Sequence, residues 1–354
     1  MARDPFDTRG GSPIGAVDLA ARAAAAEARV DALCRAAARD LAIPDALRLD
    51  ERTRRGVVAR LEAVLASMEQ GLSQALAIGA FPGMGSTLPL FHAAGLAADP
   101  ALLAPLLAQV RLEQLAAALP HHAPRDPNRP SLLTRLAEHP AAAMAEAARA
   151  LLFAESEARR PEAGRWQLPA HLHVRLLWWV ASAMREQAGT LAGVAMDEAL
   201  CIAVHREMAE AQERAGAQPA AVAAALVAAI APTARELPAL LIEALQDRRM
   251  SLFLALIAHH AGIAHADARD LVLDPGAERL LLVLHALEIE REAIAQIAFL
   301  LCAADPTRDL PALADAIDAL DTVDAAFGRD LLAWLRLDPD YRQARGAIAG
   351  RSSW

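Results

Sequence analysis

The chain has 354 residues, of which 55% are hydrophobic, 4% aromatic and 22% charged, and its formal net charge is −9. That length holds about two domains of ordinary size, or one elongated array, and either can bury a core without disulfides or metals, so a stapled mini-protein is excluded. All 35 basic residues are Arg, and without a Lys amine the chain cannot run Schiff-base chemistry, a P-loop or a kinase-type ATP site.

Alanine and leucine dominate, and both favour helix. Apolar positions recur every three or four residues, alternating patterns are absent and β-branched residues are sparse, which predicts an all-α fold. The opening MARDPFDTRGGSP reads as a disordered lead-in over residues 1–13. It combines no basic start, apolar block and small-residue cleavage site, and the longest low-charge stretch, Pro219 to Thr233, is shorter than a bilayer span. A soluble, cytoplasmic protein without a membrane span is therefore expected.

Two long helices are expected first, Ile14–Leu41 and Glu51–Ile78, the second with Asp50 at its N-cap and Glu51 in its first turn. Gly79, Pro82, Gly83 and Gly85 then interrupt the pattern. Shorter units follow at Leu88–Leu96, Ala101–Leu107 and Arg111–Leu119, completing an N-terminal helical region over residues 14–120. The proline-rich HHAPRDPNRP, residues 121–130, reads as a linker, and helices over Ser131–Arg160, Leu168–Glu186 and Leu191–Arg214 open a repeat region reaching residue 346, ahead of a flexible tail at 347–354.

Six Asp-Pro pairs punctuate the chain, at Asp4, Asp99, Asp126, Asp274, Asp305 and Asp338. Asp caps a helix and Pro starts one, so each internal pair outside the linker is expected to open a helix. The last three lie about 31–33 residues apart, with two helices between successive pairs, the spacing of stacked helical hairpins. The expected hairpins are Ala277–Ala286 with Glu292–Ala303 and Leu310–Leu320 with Asp324–Leu335, preceded by Met250–His260 with Ala264–Leu273 across Gly262. This reads as a small α-solenoid, whose curved surface is suited to binding partners.

The run MSLFLALIAHHAGIAHADARDLVLDPGAERLLLVLHALEIEREAIAQIAFLL resembles a HEAT-like helical family, the bacterial domain of unknown function 2336, found mainly in alphaproteobacteria. LPAHLHVRLLWWVASAMRE, with Trp178 and Trp179, and DERTRRGVVARLEAVLASMEQGLSQALA are similar to recurrent parts of it. The resemblance implies a helical-repeat protein with no established catalytic residues, and therefore supplies no active site to carry over.

Chemistry-bearing residues are few. Cys34, Cys201 and Cys302 lie far apart in apolar helical stretches with no C-x-x-C spacing, and read as buried free thiols of a reducing compartment. His259, His260 and His265 are the candidate metal ligands. Adjacent His259 and His260 diverge by about 100° on a helix, however, and His265 lies past the Gly262 turn. GMGST at Gly83–Thr87 precedes a helix but has neither P-loop nor dinucleotide spacing, and reads as an interhelical loop.

Three surfaces remain. Residues 1–150 balance their charges, so the net −9 belongs to the rest, where Asp315, Asp318, Asp321 and Asp324 recur every third residue as a candidate docking surface for a basic partner. Arg175 and Trp178 share a helix face on which the Arg could cover the Trp178 ring as an anchor for a partner. Arg48, Arg52, Arg54, Arg55 and Arg60 form a candidate anion site at the start of the second helix.

The leading expectation is a non-catalytic protein-protein interaction scaffold or regulator in bacterial signalling or stress control, without a cofactor. Its alternative is a small-ligand- or metal-binding protein or enzyme with a pocket between helical layers. The lesser alternative is nucleic-acid binding through the N-terminal arginines, which net acidity disfavours.

Overall fold

The structure, a computed structural model, describes residues 48–76, 85–120, 130–160, 167–189, 194–320 and 325–348. Among them there is no strand, and the fold is all-helical. The chain divides into two compact units, Met1–Arg54 and Arg55–Trp354. The expected first helix at 14–41 lies outside the described residues, as do the lead-in, most of the linker and the end of the tail.

Helix α1, Glu51–Ala75, starts where its cap was expected. The Asp50 carboxylate accepts from Thr53 N at 2.8 Å and from Thr53 Oγ1 at 2.7 Å, and these bonds hold its pKa below the ordinary carboxylate range. From Arg55 onward α1 buries Val57, Leu61, Val64, Leu65, Met68 and Leu72, the three-and-four spacing of one helical face. Helix α2, Leu88–Ala93, is followed by a 3-10 turn at Leu96–Ala98. The Asp99 carboxylate then caps α3, Pro100–Ala118, by accepting from Ala101 N at 2.9 Å.

The two short helices expected between Ala101 and Leu119 are thus one, running through Pro105. Proline lacks one backbone donor and crowds the preceding turn, but Leu102, Leu106 and Val110 are buried on either side and hold the helix continuous. The reverse holds for Ser131–Arg160. Pro140 breaks it into α4, Leu132–Ala137, and α5, Ala142–Ala158.

The remaining helices are α6, Ala170–Ala188; α7, Val194–Arg214; α8, Pro219–Ile230; α9, Leu237–Gln246; and α10, Met250–Ala261. Then come α11, His265–Leu273; α12, Glu278–Ala286; α13, Arg291–Ala304; α14, Leu310–Ala319; α15, Ala325–Leu335; and α16, Pro339–Ile348. Of the described Asp-Pro pairs, Asp99 and Asp338 cap helices directly. Asp274 and Asp305 instead accept from the backbone two residues on, at Gly276 and Thr307. They form Asx turns, and α12 and α14 begin four and five residues later.

Two buried clusters organise the second unit. One joins α1, α2 and the first half of α3 to α6 and α7. The larger joins Leu115 and Leu119 to α4, α5 and helices α8 to α15. Helix α10 is apolar nearly all round, with every residue from Leu252 to Ile257 buried, and packs against α8, α9 and α11. Helix α3 belongs to both clusters and also packs on α11 and α13, so packing extends beyond helices consecutive in sequence. Gly328 lets α15 approach α12 closely, since a Cβ there would lie 3.0 Å from that of Ala286.

Candidate functional site

The histidine corner forms where α10 ends and α11 begins. The rings of His259 and His260 meet edge to face with centroids 5.4 Å apart. His259 is exposed, while Nε2 of both His260 and His265 is buried without a hydrogen-bond partner among the described residues. Burial pushes both pKa values down, helped by the charge of His259 at His260 and of Arg269 at His265. Among the described residues no group of three or more His, Cys, Asp or Glu is placed to hold a metal ion, so the three histidines do not converge as a ligand set.

On α6 the tryptophans separate as their spacing requires. Leu172, Leu176 and Ala183 are buried, and Trp178 and Trp179 are both half-buried against the cluster that α6 shares with α1 to α3. Arg175 covers Trp179 rather than Trp178, with its guanidinium carbon 4.7 Å from the ring centroid. This corrects the expected pairing: the Arg175 side chain is drawn toward Asp99, to whose carboxylate it donates at 2.5 Å, and the i+4 ring lies along that path. Trp179 also meets Phe91 edge-on at 6.2 Å, and Trp178 meets His205 at 5.5 Å. Arg175 is thus engaged inside the fold, by an acid and by an aromatic face.

The acidic row is seen in part. Asp315 and Asp318 are exposed on α14, and Asp318 accepts from the guanidinium of Arg291; Asp321 and Asp324 lie outside the described residues. Of the arginines at the start of α1, Arg52, Arg54 and Arg55 are exposed and Arg48 and Arg60 half-buried. Arg54 lies 3.9 Å from Glu51, and Arg60 pairs with Glu113. In the GMGST loop the described residues are Gly85, Ser86 and Thr87, and Thr87 is buried with its N and Oγ1 both donating to Glu69 Oε1. This turn anchors the start of α2.

The thiols differ from expectation. Cys201 is exposed on α7, because the buried face of that helix runs through Met196, Leu200, Ala203 and Val204 and position 201 falls just outside it. Cys302 is half-buried, and burial pushes its thiol pKa up. Cys34 lies outside the described residues.

Two arrangements were not foreseen from sequence. Arg308, in the loop before α14, is buried with 1% of its side chain exposed, and it donates to the carbonyl of Val272 at the end of α11. Arg342 on α16 donates to both carboxylate oxygens of Asp267, each at 2.7 Å. Pairs this distant in sequence leave no periodic trace. Only Asp305 and Arg308, three apart, could have suggested that Arg308 is held.

Residues 126–331 match the family described as an uncharacterised protein conserved in bacteria (DUF2336). The chain belongs to that family. The segment matched to DUF2336 begins after α3 and ends within α15, so α6 and α7 inside it share a buried cluster with α1 to α3 outside it. No curated protein and no solved structure matches the chain. Among the described residues no helix is long and apolar enough to cross a membrane.

Proposed function

We propose that this DUF2336 protein is a non-catalytic interaction scaffold or regulator, a HEAT-like stack of helical hairpins that binds a basic protein partner on the outward face of α14. One observation carries the reading. Asp315 and Asp318 stand exposed three residues apart on α14, close enough to act together on one cation, and Asp318 already holds a guanidinium, that of Arg291. The segment after residue 150 holds the whole net charge of −9, so the field around α14 favours approach of a basic surface.

The test compares tagged wild-type chain with an Asp315→Asn/Asp318→Asn variant, each used to capture proteins from lysate of the source organism at low and moderate salt. The reading expects a stoichiometric basic partner that wild type retains at low salt and releases as salt rises, and that the double variant fails to hold while keeping its helical circular dichroism. Equal capture by both chains, at either salt, overturns it.

A further inference from the structure

Helix α16 is docked by arginines rather than by apolar burial. It has ten residues, and its two largest apolar side chains face solvent, Tyr341 at 56% exposure and Ile348 at 89%. A helix this short is marginal in water on its own, so its folded state depends on what it touches. Its N-terminus is closed by Asp338, whose carboxylate accepts from Asp340 N at 2.8 Å and Tyr341 N at 3.3 Å.

Among the described residues, its hydrogen-bond and ring contacts to other elements come from Arg342 and Arg345, with Arg336 just ahead of the helix. Arg342 donates through Nη2 to both carboxylate oxygens of Asp267 on α11, and the two side chains are only 12% and 16% exposed. Arg345 stacks over Trp334 of α15, with its guanidinium carbon 5.1 Å from the ring centroid. Arg336 donates through Nε to the carbonyl of Ala261 at 2.8 Å. It fits there because residue 262 is glycine with φ +65°, where a Cβ would stand 3.3 Å from the same Nε.

We infer that α16 is a releasable strap, latched onto α11 by the Arg342–Asp267 pair, whose opening uncovers the Asp267 carboxylate and the Trp334 indole while the core of the second unit stays folded. The latch is strong in geometry and narrow in extent. A charge-assisted guanidinium–carboxylate bond, made by the single Nη2 to both oxygens, holds one position firmly, but with little apolar area behind it α16 falls at the low end of local stability. This inference is independent of the reading of α14.

Hydrogen exchange measured by mass spectrometry on the full chain tests it. In wild type, amides of Pro339–Ile348 are expected to exchange by local opening, well before those of Arg291–Ala304. Asp267→Asn removes the charged acceptor and is expected to speed exchange in α16 about ten-fold or more, leaving α13 unchanged. Arg342→Lys keeps the charge but loses the planar guanidinium, whose Nε donates to the Leu337 carbonyl while Nη2 reaches Asp267, and is expected to give a smaller rise confined to α16. Exchange of α16 together with α13 in wild type, or no response to Asp267→Asn, overturns the inference. Should Asp267→Asn abolish the helical circular dichroism altogether, Arg342→Lys decides. A rise in α16 alone supports the strap, and no rise or a uniform one overturns it.

Discussion

The guanidinium of Arg308 donates to the main-chain carbonyl of Val272, and the carbonyl of the next residue, Leu273, accepts from Arg111 at 3.0 Å. The last turn of α11 is therefore capped by two arginines, one from α3 and one from the loop before α14. Both bring positive charge to the negative end of a helix and satisfy carbonyls that the helix leaves open. Arg308 Nε sits 3.4 Å from Asp305 Oδ2, which offsets part of the cost of burying the charge, although burial still pulls its pKa below the ordinary value.

Replacing Arg308 should accordingly loosen the junction of three elements rather than one loop. Arg308→Met keeps the bulk but leaves the Val272 carbonyl without its donor and Asp305 without its charged partner, with only the Thr307 bonds remaining. It is expected to cost about 2 kcal/mol or more. Urea denaturation reads this as a lower midpoint with an unchanged slope, and an unchanged midpoint would show that the buried charge contributes nothing net.

Glu288 ends the turn after α12 with φ +59°, a left-handed conformation that side chains with a Cβ adopt at a cost. The hydrogen bonds from Glu288 N to His285 O and from Ile289 N to Leu284 O close the helix end at that position, where glycine is the common residue. Glu288→Gly is expected to stabilise the chain by about 0.5–1 kcal/mol, because relief of the left-handed strain exceeds the extra freedom gained by the unfolded chain. Thermal unfolding followed by circular dichroism checks the sign, and Ile289, buried at 4% exposure, should keep its place.

How far the sequence carried depended on whether the determinant was local. The helices from Met250 to Leu335 followed directly from apolar spacing, because each stretch prints its own period and its own breaker, as Gly262 does between α10 and α11. Pro105 misled because a breaker was weighed locally while the decision lay with the core around Leu102 and Leu106. For the site, the exposure of Asp315 and Asp318 was legible as a charge row. The partner of Arg175 was not, because choosing between Trp178 and Trp179 required knowing that Asp99 of another helix lay beside it. The Arg342–Asp267 and Arg308–Val272 contacts join elements whose spacing no repeat encodes.

Cys201 and Cys302 should differ sharply toward a thiol reagent. Cys201 is exposed on α7, whereas Cys302 is half-buried and its thiol is shifted up by burial, which lowers its thiolate fraction at neutral pH. In a Cys34→Ser background, native labelling with a maleimide is expected to modify Cys201 first, with Cys302 following at least about ten-fold more slowly. Peptide mapping of the labelled chain would read this directly, and equal rates would place the Cys302 thiol nearer solvent than its position on α13 implies.

The histidine corner sets a pH dependence of stability in a window apart from the carboxylates. In the unfolded chain His260 and His265 take up protons at about pH 6.5, whereas in the folded chain burial lowers both values, with His259 and Arg269 adding repulsion. Stability is therefore complete above that pH and falls as pH drops through it, because the unfolded state binds protons that the folded state refuses. The fall levels off only below the folded-state values. Asp50 has the same sign of shift but a lower window, losing its contribution only as pH falls below about 4. Urea midpoints measured between pH 8 and 5 are expected to decline in wild type and to decline less in His265→Gln, which removes one titrating ring while keeping a polar side chain at the start of α11. Parallel curves for the two chains would show that His265 takes up its proton as readily folded as unfolded.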